Sequence, residues 1–298
     1  MYAMYDPAGQ DSAPKVRIRL LSEALAERAD LTLVSGTPGR RFRSLLRWLL
    51  REGMGAVDAV YVETATAAVL PHDLALFAWA RLRGRPLGIY FRDAYQRFRQ
   101  LYPVATRRQR LSDLAWRLTF PIARRLATVR FAPSAGLAHV LRLPSPVLLP
   151  PGTDPRLPFL GAGHGPPLVA AIAAPAPASD VPFLMSEMAI VHQQRPAVRL
   201  RIVSRAERPA DWPSWVEVVA ADRDGLAEAL EPAALCVIPL RRTSYTDLAV
   251  SVRLTDLLAL GKPTVASASL AAEAFVGPSE AVAFVSDAPG DLAAAIVR

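Results

Sequence analysis

SYTDLAVSVRLTDLLALGKPTVAS, residues Ser244 to Ser267, runs from a polar turn through a helix into an apolar strand. Val250, Leu254, Leu257, Leu258 and Gly261 recur at i, i+4, i+7, i+8 and i+11, a stripe that must face a sheet. Gly261 and Pro263 stop the helix, and PTVAS follows as a buried strand. This is a helix-to-strand joint of an α/β protein. Arg253 and Asp256, spaced i, i+3, share a different face of the same helix. They are either an exposed pair worth a few tenths of a kcal/mol, or ligand groups. In the second case the helix N-terminus, near Thr246 to Val250, offers N–H groups and its positive dipole end to an anion. A carboxylate one turn in can take ribose hydroxyls, and a guanidinium beside it can neutralise a diphosphate.

Outward from this joint, strand and helix signals alternate along the whole chain. YAMYD, LTLVSG, AVYVETAT, PLGIYFRDAY, VRFAPS and VLLPPG read as strands of the first half, with helical periodicity between them. GTDPRLPFLGAGHGPP is rich in Gly and Pro and reads as a linker. PLVAAIA, VRLRIVSR, WVEVVA, ALCVIPL, PTVAS and AVAFV are the strands of the second half. The expected organisation is an α/β chain of two parallel-sheet domains, 1–150 and 168–298, joined by 151–167. Ligands of such sheets bind outside the carboxyl ends of strands, where Glu63, Arg92, Asp93, Ser134, Ser204, Arg205, Arg241, Arg242 and Thr243 fall.

Composition narrows the function. A hydrophobic content of 52% supplies two packed cores. No apolar run reaches the roughly 18–20 residues of a membrane span, and the N-terminus carries no signal-peptide pattern, so a cytoplasmic protein is expected. The single Cys236 lies in an apolar run as core filler. His72, His139, His164 and His192 show no metal spacing, and there is no P-loop, dinucleotide fingerprint or nucleophile elbow. The net charge of +8 attracts anionic partners. Without interleaved aromatics or a binding motif, nucleic acid is not expected among them.

YTDLAVSVRLTDLLALGKPTVAS resembles the donor-site segment of GT-B glycosyltransferases of the retaining, family-4-like type. The likeness lies in Tyr245, Asp247, Leu248, Ala249, Leu254, Leu258, Gly261, Lys262, Pro263 and Ala266. VLLPPGTDP is similar to that family's strand and turn into the interdomain linker, and RRLATVRFAPSAGLAHVL to the segment before it. The resemblance implies two Rossmann-like domains facing across a cleft. It implies a nucleotide-sugar donor on the second domain, a glycan or lipid-linked acceptor on the first, and no cofactor or obligatory metal. It puts Asp256 on the ribose and Arg253 on the diphosphate, with Arg205, Arg241, Thr246 and Asp247 as further donor contacts. Arg92 and Asp93 fall beside the transferred sugar as the catalytic pair.

Several departures accompany it: Arg253 stands where many members have Lys, and the family's long C-terminal helix is expected to be short or missing from the second domain. Asp256 stands for a Glu, Ser251 for the usual Pro, and AAIAAPAPASD carries neither the Gly nor the base that would help hold a diphosphate. The expected function is therefore a metal-independent glycosyltransferase of cell-surface or exopolysaccharide and glycolipid synthesis. The alternative is a catalytically silent GT-B-like scaffold that partners a complete transferase.

RFRSLLRWLLREG is a basic amphipathic helix, either a surface helix of the first domain with an Arg-rich solvent face or an interfacial helix on anionic lipid. Arg40, Arg41, Arg43, Arg47, Trp48 and Arg51 are its candidate contacts with an anionic membrane at the inner face of the cell.

Overall fold

The computed structural model describes residues 1–8, 12–51, 57–65, 68–164, 167–173 and 180–298. Of AAIAAPAPASD, residues 170–180, the stretch read as lacking Gly and base, 174–179 lie outside the described residues. The chain divides into two compact units, Met1–Pro150 and Pro151–Arg298.

The first unit carries β1 (Tyr2–Ala3), α1 (Ala13–Ala26), β2 (Val34–Ser35), α2 (Pro38–Arg51), β3 (Val60–Glu63) and α3 (Pro71–Leu82). It continues with β4 (Leu87–Tyr90), α4 (Arg107–Leu126), β5 (Val129–Ala132), α5 (Ala135–Val140) and β6 (Val147–Leu148). Its parallel sheet runs β2-β1-β3-β4-β5-β6. The second unit carries β7 (Leu168–Ile172), α6 (Val181–Gln194), β8 (Arg199–Val203), β9 (Val216–Val219), α7 (Leu226–Leu230) and β10 (Leu235–Ile238). It ends with α8 (Val252–Ala259), β11 (Thr264–Ser267), α9 (Leu270–Val276), β12 (Val282–Val285) and α10 (Asp291–Val297). Its sheet, also parallel, runs β12-β11-β10-β7-β8-β9. Both are doubly wound Rossmann-like sheets. Strand order reverses between β1 and β3 in one and between β7 and β10 in the other, and these switch points are where such sheets hold ligands.

The second sheet is covered on both faces, so its central strands are apolar throughout. Ala170, Cys236, Ile238 and Ala266 face one way and pack with Leu254 and Leu257 of α8 and with Leu260 just after it. Val169, Ala171, Val237 and Val265 face the other way and pack with Phe183, Leu184 and Met188 of α6. The period of two in the strands thus meets the period of 3.6 in the helices from both sides. Burial pushes the Cys236 thiol up to about 12, against the pull of Lys262, as befits a core group.

The segment from 151 onward is bonded into the second unit. The amides of Leu160 and Gly161 donate to the Leu260 carbonyl, and Gly163 donates to Ala233. Gly261 takes φ +67°, and a Cβ there would run into the ring of Phe159. Lys262, 1% exposed, donates Nζ to the carbonyls of Glu231 at 2.8 Å and Ala233 at 3.1 Å, tying the joint to the turn before β10.

Three expectations need correction. Helix α8 begins with Ser251 as its N-cap, later than Thr246 to Val250, because Thr243 and Thr246 bond each other's amides and hydroxyls and close a separate 3₁₀ turn at Thr246–Leu248. Helix α9 went unforeseen, although Ser269 caps it through the Ala272 amide and Gly277 ends it. Arg41, expected on the membrane-facing side of α2, is only 3% exposed. Its guanidinium grips Asp73 at 3.1–3.3 Å and donates to Tyr2 at 3.0 Å, while the Tyr2 hydroxyl also bonds Asp73. Asp73 is buried at the start of α3, and a buried carboxylate there requires a counter-charge.

Candidate functional site

At the switch point of the second unit, the carboxyl end of β7 meets the start of α8. Val252 and Arg253 open that helix, and its N-cap Ser251 makes no side-chain cap. The Arg253 side chain turns back over the sheet and donates Nη1 to the Ile172 carbonyl at 3.0 Å. It makes no salt bridge among the described residues. Burial lowers its pKa, and Asp180 partly opposes this.

Asp180 precedes α6 and is half-buried. Burial raises its pKa, while the Arg241 amide, 3.4 Å from Oδ1, and the charges of Arg253 and Arg241 act the other way. Arg241 follows β10 and lays its guanidinium over the Phe183 ring, 4.8 Å from the centroid. Two arginines, one aspartate and a helix start therefore converge on the end of β7. This is a cationic seat suited to a phosphate or diphosphate.

Asp256 lies elsewhere. It is 5% exposed, and its hydrogen bonds go to Arg223 and Thr153. Arg223 holds it in a two-pronged ion pair, Nη2 to Oδ1 at 3.0 Å and Nη1 to Oδ2 at 3.1 Å, and the Thr153 hydroxyl donates to Oδ1 at 2.5 Å. Three of its roughly four acceptor positions are thus filled. Arg223 Nε is buried without a hydrogen-bond partner. The spacing i, i+3 put Arg253 and Asp256 on one helix face, but the side chains diverge, one over the sheet and the other toward Arg223.

The other donor candidates are dispersed. Thr246 caps its own turn by donating to the Arg241 carbonyl at 3.0 Å. Asp247 pairs with Arg242 at 2.8 Å on the surface. Arg205 is exposed beyond the end of β8.

In the first unit, Arg92 and Asp93 lie together after β4. Arg92 Nε donates to Asp93 Oδ2 at 2.8 Å, and Nη2 donates to the Tyr5 hydroxyl at 2.9 Å with the guanidinium over the Tyr5 ring. At the end of β3, buried Glu63 accepts from Arg17 Nε at 3.0 Å and from the Tyr61 hydroxyl at 2.6 Å. Arg17 stacks on Tyr90, 4.1 Å from the ring centre, and burial pushes the Tyr90 phenol up to about 12. The carboxyl ends of β1, β3 and β4 thus carry two arginine–carboxylate pairs set among tyrosines. Among the described residues no cluster of His, Cys, Asp and Glu could hold a metal ion.

Tyr5, Arg17, Thr153, Asp180 and Arg223 were not foreseen. Asp180 had a local signal, an Asp just ahead of the Val181-Pro182 helix start. The others act on partners from 33 to 103 residues away, which no local pattern encodes.

Residues 166–298 match the family described as glycosyl transferases group 1. No curated protein sequence matches the chain. Among solved structures, a protein of Listeria monocytogenes described as a UDP-N-acetylglucosamine 2-epimerase is similar over 99% of this chain and 86% of its own, at 10% identity and a TM-score of 0.51. The pneumococcal O-GlcNAc transferase GtfA, solved with UDP and GlcNAc, is similar over 78% of this chain and 46% of its own, at 11% identity and a TM-score of 0.50. Accessory secretory protein 1, 2 and 3 of Streptococcus pneumoniae is similar over 86% of this chain and 48% of its own, at 12% identity and a TM-score of 0.51. At these identities the likeness shows the fold alone.

Proposed function

We propose that this chain, whose residues 166–298 match the glycosyl transferases group 1 family, moves a sugar from a nucleoside-diphosphate sugar to a hydroxyl acceptor. The observation that carries the reading is Arg253. It is a part-buried guanidinium at a helix start, over the switch point of a doubly wound sheet, with no carboxylate salt-bridged to it among the described residues. Arg253, Arg241 and the N-terminal end of α8 neutralise the leaving diphosphate, so the transfer needs no metal. Arg92 and Asp93 act on the sugar or acceptor from the first unit, with Tyr5 fixing the arginine. Retention of anomeric configuration, a glycan or lipid-linked acceptor in cell-surface synthesis, and a peripheral position at the cytoplasmic membrane face complete the reading. Removing Arg253 as Arg253→Ala should weaken binding of the donor nucleotide by about tenfold or more, the loss of one charge-assisted bond. Unchanged affinity would end the proposal.

The second reading is a catalytically silent scaffold of the same fold. It is favoured by Asp256, which is held by Arg223 and Thr153 instead of facing the seat. Turnover of any nucleotide sugar by the purified chain would exclude it.

A further inference from the structure

Helix α4 of the first unit carries a row of exposed apolar side chains. Leu111, Leu114, Leu118 and Ile122 recur at i, i+3, i+7 and i+11 and are 68%, 55%, 65% and 44% exposed. The opposite side of the helix buries Trp116, Phe120 and Ala123 in the core. The leucine row therefore points straight out from the sheet, along about 16 Å of helix. Arg107, Arg110, Arg117 and Arg125 flank it, all exposed. Asp113, the one acid of this helix, is engaged by Arg99 and Arg117.

At the C-terminal end of the row the surface opens into a pocket of about 440 Å³ lined by Arg124, Arg125, Arg130, Arg142, Leu143 and Pro144. Arg124 Nη1 donates to the carbonyls of Leu141 and Arg142, and Arg130 Nε to that of Arg124, so two of the guanidiniums are fixed in place. No carboxylate pairs with any of the four arginines among the described residues. Burial and the neighbouring Arg81 and Arg124 lower the Arg130 pKa, the mark of uncompensated positive charge.

We infer that α4 docks this protein on an anionic lipid bilayer, its leucine row entering the acyl boundary and the four-arginine pocket taking a lipid phosphate. Three features favour this occupant. Leucines projecting from a convex helix suit a fluid apolar layer, and cationic flanks on both sides suit anionic headgroups. A second copy of the chain would bring the same rows of arginine against each other, at a repulsive cost. The third feature is α2, which runs in the same helix layer. Phe42 and Trp48 of α2 meet His72 and Trp79 of α3, and α3 packs on α4. Helix α2 also turns apolar side chains outward, with Phe42, Leu46 and Leu50 51%, 45% and 77% exposed beside exposed Arg43 and Arg47. Arg40 is exposed at its start, paired to Asp6. Trp48 packs inward, and the Arg51 side chain lies outside the described set. The inference does not rest on the transferase reading.

The test is co-sedimentation of the full chain with phosphatidylcholine vesicles, with and without about 30 mol% phosphatidylglycerol. Three proteins are compared: wild type, Leu114→Gln/Leu118→Gln, and Arg125→Gln/Arg142→Gln. Thermal melts check that each is folded. Wild type should bind the anionic vesicles by far the better. The leucine variant should lose about tenfold or more of that binding. The arginine variant should lose the preference for phosphatidylglycerol. Wild type that ignores anionic vesicles, or a folded leucine variant that binds like wild type, overturns the inference. So does a dimer seen by light scattering that the leucine variant breaks while no vesicles bind. Stabilisation by free phosphate without vesicle binding would assign the pocket to a soluble ligand and overturn it as well.

Discussion

Arg253 and Asp256 carry opposite charges one helical turn apart, yet they do different work. Asp256 and Arg223 form a buried pair, 7% and 11% exposed at their side chains. Removing one partner of such a pair leaves the other charge stranded. Asp256→Ala should cost about 3–5 kcal/mol in a urea titration, and Arg223→Met combined with Asp256→Leu should recover most of it. If Asp256→Ala leaves stability intact but weakens nucleotide binding, the carboxylate is a ribose ligand after all. Asp180 gives the seat a pH dependence. Burial holds its folded pKa above the ordinary carboxylate value, and a diphosphate bound alongside raises it further. Binding therefore takes up a proton, and affinity should rise as pH falls into the Asp180 range. Asp180→Asn should flatten that slope in calorimetric titrations. A wild-type slope of the opposite sign would place the anion elsewhere.

At the scale of elements the chain was highly legible. Each of the twelve strands among the described residues was visible as an apolar run closed by Gly, Pro, Ser or a polar turn, a mark left most clearly by the central strands buried on both faces. Helix ends were less so. The start of α8 is set by a hydroxyl exchange between Thr243 and Thr246, and α9 is only seven residues long, too short to show a period. The pair that consumes Asp256 and the one that buries Arg41 join residues 33 and 32 apart, so local spacing could name the charged residues but not their partners. Spacing put Arg43, Arg47 and Arg51 of α2 on one face with Arg40 and Arg41 ahead of them, and only the packing separates Arg41, inside, from Arg43 and Arg47, outside. The joint between α8 and β11 has its own test. Gly261 has positive φ and no room for a Cβ against Phe159. Gly261→Ala should destabilise the chain by about 1–3 kcal/mol, and adding Phe159→Ala should return part of that in the same denaturation assay.

At the scale of the whole molecule, each unit presents its polar groups at the carboxyl ends of its strands, beside the switch point of its sheet. The cationic seat at β7 is the feature of the second unit that speaks most directly to a nucleotide diphosphate. Its measurement is calorimetric titration of the full chain with UDP, GDP, ADP and dTDP and their sugars, for wild type and for Arg253→Ala. One base should bind, with affinity reduced about tenfold or more by the substitution while the melting temperature stays close to wild type. No binding by any of them, or equal binding by the Arg253 variant, would contradict the assignment of the seat and leave the scaffold reading in its place.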